Sequence, residues 1–441
     1  MLTDHLWLRY SDNLEKEVLQ LEDEGRTVTD EMIKKTNEIV AMEAGNAKEA
    51  AAIAFFDYVK ATSPENNTCE PSDLKSIQDL AKGNAVTGYT KDDALLNKVL
   101  GGWLGRASGC LLGKPVECWK RERILGLKAA IEGEREYYGG YMLFGNDTAI
   151  NEKFEMDKNG SWIDLIKCMP EDDDTNYTVI GMRVIEKYGR DFDTWSIAEC
   201  WLCDLPILHT CTAERVAYRN IVTGKLPPES AVYCNPMREW IGAQIRADAF
   251  GYANPGDCKT AADMAWRDAS MTHVKNGIYG EMWVAAMIAK AFVCDDIKEV
   301  IRAGLNEIPP QSRLHVNVEK VIGQYESGMS WKKALELIHE QWDENDFHHW
   351  CHTVANAMIV VAALLWGEKD LEKTISIAVM AALDTDCNGA TSGSVLGVML
   401  GAKALPENWI KPMNNTLITG VDGIGKITFT ELAERCMKLI V

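Results

Sequence analysis

LDTDCNGATSGSVLGVMLG, the stretch from Leu383 to Gly401, places two aspartates, Asp384 and Asp386, ahead of glycines at 389, 393, 397 and 401. A four-residue interval keeps these glycines on one stripe of a helix. Glycine costs a helix interior about 1 kcal/mol relative to alanine, so a stripe of it needs a compensating gain. Close approach of a second backbone supplies one. The stretch reads as an acid-bearing helix packed tightly against another element.

A second stripe offers the partner. Gly101, Gly105, Gly109 and Gly113 recur at the same interval in GGWLGRASGCLLGKPVE, Lys114-Pro115 ends the helix, and Glu117 follows at once. Antiparallel packing would bring the exit of this helix to the entrance of the other, with Glu117 beside Asp384 and Asp386. A third acidic group, Glu171 to Asp174, precedes an apolar helix carrying Val179, Ile180, Met182, Val184 and Ile185. Successive helical residues point about 100° apart, so consecutive aspartates converge only from a turn feeding a helix N-terminus. Each feature alone also suits two ordinary core helices or a solvated acidic cap, because acids at helix N-termini are favoured by the dipole. Their coincidence favours one site. Glu117, Asp172, Asp173, Asp174, Asp384 and Asp386 gathered together would raise one another's pKa, and divalent cations would remove that conflict. Oxygen ligands without obligatory histidine favour Mg²⁺, Mn²⁺ or Ca²⁺ over zinc.

The chain has 441 residues, 46% of them hydrophobic, enough for one large domain or two to three ordinary ones. Its formal net charge of −20 argues against nucleic-acid backbones and anionic membranes as general partners. Thirteen cysteines show no framework spacing. The N-terminus lacks a basic region followed by an apolar one, and the longest apolar run, Val354 to Trp366, is too short to span a bilayer. A reduced, cytoplasmic, soluble protein is expected.

Apolar residues spaced by three or four mark helices over 30–60, 95–112, 178–188, 280–292, 354–365 and 389–404, and strand-like alternation is nearly absent, so an all-α fold is expected. SPENNTCEPS, Ser63 to Ser72, reads as a linker, and KGNAVTG at 82–88 as a weaker break. Residues 1–90 therefore read as a helical N-terminal extension and 91–441 as the main domain.

In that order and at those separations, GCLLGKPVE, DDDT and LDTDCNGATSGSVLG resemble the ADP-ribosylglycohydrolase family, over roughly Leu95 to Val441. The resemblance implies a compact all-α bundle, two divalent cations (Mg²⁺ or Mn²⁺), and hydrolysis of the glycosidic bond between ADP-ribose and a protein side chain or small molecule. It assigns metal binding to Glu117, Asp172, Asp173, Asp174, Asp384 and Asp386, with Asp386 bridging both ions. Two departures stand out. Asp172 replaces the usual threonine or serine, and Cys387 replaces a threonine that commonly ligates, bringing a softer donor. The resemblance also implies ligand contacts from IGAQIRADAF (Gly242, Arg246) and from RDASMTH with NGIYG (His273, Asn276, Gly277), although Ile241-Gly242 departs from the family's Asn-Gly.

For acid–base work, typically worth 10²–10⁴-fold, Glu117 is the first candidate and Asp174 the second. Diphosphate recognition is expected from helix N-termini. His348 and His352 have metal-compatible i, i+4 spacing but no acid–base partner placed with them, so a structural role is expected, as it is for the lone CWLC at 200–203. Two alternatives stay open: a non-catalytic relative, as jellyfish crystallin is, and a hydrolase acting on another ribosyl compound. A di-iron bundle would want Glu-x-x-His motifs beside these acids, and none is there.

Overall fold

The computed structural model describes residues 6–65, 67–145, 148–158 and 160–441. Two helices form its spine, Asp93–Gly113 and Thr385–Leu400. They run antiparallel with their glycines interlocked: a Cβ on Gly101, Gly105 or Gly109 would fall on the carbonyl of Gly397, Gly393 or Gly389 respectively. At the end of the ladder a Cβ on Gly113 would strike the Thr385–Asp386 peptide. Both helices are buried almost all round, which is why neither has a polar face.

The chain sets the ends of these helices locally. Asp92 caps the first by accepting from the amides of Ala94 and Leu95, both at 3.0 Å, and Lys114–Val116 tightens its exit into one 3₁₀ turn. The second begins four residues earlier than its apolar pattern indicates, and Gly401 ends it. With φ of 75°, Gly401 is the terminator of the helix rather than a member of the stripe. Around the spine pack Asp173–Tyr188, Lys275–Ala291, Thr353–Trp366 and Leu371–Met380. The described strands are Thr416–Ile418 and Lys426–Thr428, an antiparallel pair in the register Thr416 to Thr428. No described helix is long and apolar enough to cross a membrane.

The N-terminal region builds a small core of its own from Leu14, Leu21, Met32, Ile39, Ala52, Phe55 and Val59. The helix expected over 30–60 is two, Asp30–Val40 and Asn46–Thr62. Charge, more than apolar contact, docks this region on the main body. Arg238 receives Glu17 and Glu24, each at 2.7 Å, Lys16 pairs with Asp346 at 2.9 Å, and Asp23 faces His348 and His352 at 2.8 and 3.6 Å. The Ser63–Ser72 stretch is a docked strap and not a free linker. Glu70, 1% exposed, takes Arg313 at 2.8 Å and Asn276 at 2.9 Å, while Trp266 donates to the Ser72 carbonyl. The 82–88 segment is likewise stitched down, through the amides of Gly83 and Thr87. Turn-forming composition signals the absence of regular structure, and it says nothing about docking.

His352 is buried at this interface, stacked on Trp342. Burial holds its pKa down to about 4; Asp23 and Glu239 oppose this, and His348 and Arg313 reinforce it. Asp23 lies at about 2, because the His348 hydrogen bond and the charges of His352, His348 and Arg313 outweigh burial.

Gly109→Ala, which meets backbone that cannot move aside, will destabilise by at least about 1–3 kcal/mol in denaturant unfolding. Gly323→Ala, exposed in a helix with nothing within 4 Å, will stabilise by about 0.4–1 kcal/mol. For His352 the folded pKa lies below the unfolded one, about 6.5. Its protonation therefore opposes docking as pH falls from about 6.5 to 4, with no effect above. Hydrogen exchange in residues 16–40, corrected for intrinsic rates, will accelerate across that window. In His352→Asn, which keeps the helix cap, it will not.

Candidate metal centre

The spine delivers its acids to one end. Thr385 donates to the Gly113 carbonyl at 3.0 Å, tying the entrance of one helix to the exit of the other, and Glu117 stands one turn beyond. Asp172 arrives from the third segment as the N-cap of Asp173–Tyr188, accepting from the Asp174 amide at 3.0 Å. Non-glycine residues in the left-handed region flank the acids: Cys118 (φ 63°) after Glu117, then Ala382 (63°) and Leu383 (55°) before Asp384. Such residues cost of order 1–3 kcal/mol each and persist where packing overrides them, commonly at functional sites. Asn356 completes the turn by accepting from the Asp384 amide (3.2 Å) and the Asn388 side chain (2.8 Å).

Asp174, Asp386 and Cys387 present ligand atoms all within 4.8 Å of one another, and Cys110, Asp172 and Asp174 form a second such trio. Two cations of the chain itself enter the cluster. Arg106, fully buried, donates to the Asp174 carboxylate (3.1 Å) and carbonyl (2.7 Å) and to Asp248 (2.8 Å). Lys114 Nζ lies 2.8 Å from Asp172, 2.9 Å from Glu117 and 3.3 Å from Asp386. Asp172 Oδ2, Asp174 Oδ2 and Asp386 Oδ1, all buried, have no hydrogen-bond partner among the described residues, and of these Asp172 Oδ2 is ion-paired with Lys114. Leaving such a group unmatched costs about 1–3 kcal/mol or more when charged. An oxygen-rich donor set with two orphaned carboxylate oxygens therefore fits a divalent cation.

Crowding shows in the proton affinities. Glu117 is pushed up to about 8, first by the charge of Asp386 and then by burial, against Lys114. Burial and Asp172 push Asp173 up to about 7. Asp384 lies well above the usual carboxylate range through burial, Asp386 and Glu117, as does Asp174 through burial in spite of Arg106. Asp172 alone is held down, because Lys114 outweighs its burial. Lys114 in turn is held protonated: burial opposes its charge, and Asp172, Asp386 and Glu117 more than offset that.

The structure thus brings together Glu117, Asp172, Asp173, Asp174, Asp384, Asp386 and Cys387. Gly242, Arg246, His273, Asn276 and Gly277 belong to an adjoining buried layer. Arg246, 1% exposed, pairs with Asp268, with Glu214 at 3.1 Å and with Glu281 at 3.5 Å. Gly242 is needed there, since a Cβ would fall on the Glu214 carboxylate. Glu214 adjoins Asp173 and raises its pKa. Asn276 holds Glu70 and Glu239, each at 2.9 Å. His273 bonds Thr272 at 2.7 Å and backs onto a cavity of about 1270 Å³ beneath the N-terminal region, where a Cβ on Gly277 would strike its ring. Direct contact between these side chains and a substrate would require them to leave those partners. Sequence reasoning missed Lys114, Arg106 and Glu214. The first two stand inside the quoted glycine-rich motif, where only the spacing of their neighbours drew notice.

Asp23, His348 and His352 form another potential ligand trio, yet their hydrogen bonds oppose it. His348 Nδ1 accepts from Trp240 Nε1 (3.0 Å), and His352 Nδ1 accepts from the Val354 amide (3.2 Å). Each neutral ring then carries its proton on Nε2, the nitrogen facing Asp23. Asp23 is hydrogen-bonded to His348 Nε2 at 2.8 Å, while His352 Nε2, 3.6 Å away, makes no hydrogen bond. All thirteen cysteines are free, Cys200 buried and Cys203 exposed on one helix.

The family model described as ADP-ribosylglycohydrolase matches residues 91–440. A solved structure described as an ADP-ribosylglycohydrolase-related protein complex is similar at 18% identity and a TM-score of 0.48, covering 79% of this chain and 98% of that one. No curated protein matches.

A ligand at about 100 times its Kd stabilises the fold it binds by about 2.7 kcal/mol. Mn²⁺ will accordingly raise the melting temperature of chelator-treated protein, and Asp386→Asn will abolish the rise.

Proposed function

The chain belongs to the ADP-ribosylglycohydrolase family, and from that premise we propose that it is a metal-dependent hydrolase of the glycosidic bond joining ADP-ribose to an acceptor. The observation carrying this reading is the pair of orphaned, buried carboxylate oxygens on Asp174 and Asp386 beside the Cys387 thiol, in a cluster flanked by strained backbone. A protein using the fold only for packing would gain nothing from that cost. A divalent cation held by these residues supplies orientation of the ribose hydroxyls and acidifies bound water.

The chain's own groups divide the remaining work by exposure. Glu117 is 36% exposed, so it can exchange a proton with solvent and hand it to the leaving acceptor at the anomeric carbon. Asp174, at 0% and tied to Arg106, has no path to solvent and is unsuited to shuttling protons. The helix N-termini at Asp173 and Thr385 both open onto the cluster and favour an anionic ligand.

The test is a panel of ADP-ribosylated proteins and small molecules, incubated with Mn²⁺ or Mg²⁺ and with chelator. Free ADP-ribose will appear only with metal, will be lost in Asp384→Ala, and will fall about 10²–10⁴-fold in Glu117→Gln. Release of ADP-ribose from no member of the panel, metal present, would sink the proposal.

A further inference from the structure

Lys114 does something the family resemblance does not provide for. Its ammonium has three N–H donors, and three carboxylates from three separate segments face it: Glu117 Oε2, Asp172 Oδ2 and Asp386 Oδ2, at 2.9, 2.8 and 3.3 Å. The ammonium donates to Glu117 and Asp386 and is ion-paired with Asp172, so it stands where a cation coordinated by these three would sit. Of the three buried carboxylate oxygens here without a hydrogen bond, Asp172 Oδ2 is ion-paired with Lys114, whereas Asp174 Oδ2 and Asp386 Oδ1 belong to the residues grouped with Cys387. Asp386 therefore faces two cation positions, one oxygen to each, and the chain itself fills the first.

We propose that Lys114 supplies one of the two positive centres of this site, so that the protein takes up a single divalent cation, at Asp174, Asp386 and Cys387. This inference rests on the metal-dependent reading above and alters its count from two ions to one. A second ion at Glu117, Asp172 and Asp386 would have to evict an ammonium from three ion pairs and then share the neighbourhood with it, a like-charge contact. The charges agree. Arg106 is shared between Asp174 and Asp248, and Lys114 offsets one of the remaining negative charges. Two carboxylates and a thiol form a softer donor set than oxygens alone, which favours Mn²⁺, Fe²⁺ or Zn²⁺ over Mg²⁺ at the remaining position.

Calorimetric titration of the chelator-treated full chain with Mn²⁺, with electron paramagnetic resonance on the loaded protein, reads the count directly. The wild type is expected to bind one ion per chain and give the six-line signal of isolated Mn²⁺. Lys114→Met, with Lys114→Gln as the backup should it fold poorly, is expected to bind two, with the signal broadened by exchange coupling. Asp174→Asn is expected to bind none. Two coupled ions in the wild type would overturn this inference and leave metal dependence standing, as would one ion in both lysine variants. No binding of Mn²⁺ by the wild type would overturn both.

Discussion

Backbone-to-backbone contact between two helices governs this molecule. Wherever Gly101, Gly105 and Gly109 face Gly397, Gly393 and Gly389, a single methyl group would collide with a carbonyl. Contact that close fixes the axial register of the helices, because sliding one along the other would drive side chains into the backbone. Register is what the acidic site needs. Glu117 leaves one helix where Asp384 and Asp386 enter the other, and the Thr385 hydroxyl bonded to the Gly113 carbonyl locks the two ends.

What the spine assembles is electrostatically unfavourable, and the surrounding residues show how that is contained. Arg106 neutralises Asp174 and Asp248 from within the glycine-striped helix, while Lys114 spans three acids at its exit. The left-handed turn at Ala382–Leu383 is held by buried packing, which is how an unfavourable backbone conformation survives. Packing energy gathered along the helices is thereby used at one end to hold a cluster that would fly apart in isolation.

The N-terminal region follows a different logic. Its own core is small, and its attachment runs through Arg238, Asp23 and Glu70. Ion pairs and hydrogen bonds of this kind respond to protonation in a way apolar burial does not, and His352, buried beside Asp23, is the group there whose protonation opposes docking. A cavity of about 1270 Å³ lies beneath the N-terminal region, lined from both that region and the main body.

Much of this was legible in the sequence because it is local or periodic. The two stripes named each other as partners, proline and the acids marked the ends, and the apolar spacing identified an all-α chain. Asp384, Asp386, Glu117 and Asp172–Asp174 could be gathered on paper because each lies at a helix end whose direction the pattern sets. The remainder depended on distances between segments far apart in the chain. No spacing reveals that Ser63–Ser72 is docked, that Arg246 faces Glu214, Asp268 and Glu281, or that Gly401 ends a helix it seemed to extend by pattern alone. Lys114 is the clearest case. The sequence determined that six carboxylates would meet. Only the tertiary structure decided that an ammonium meets three of them, since a flexible four-carbon side chain has no periodicity to read and finds its partners only once the fold has placed them.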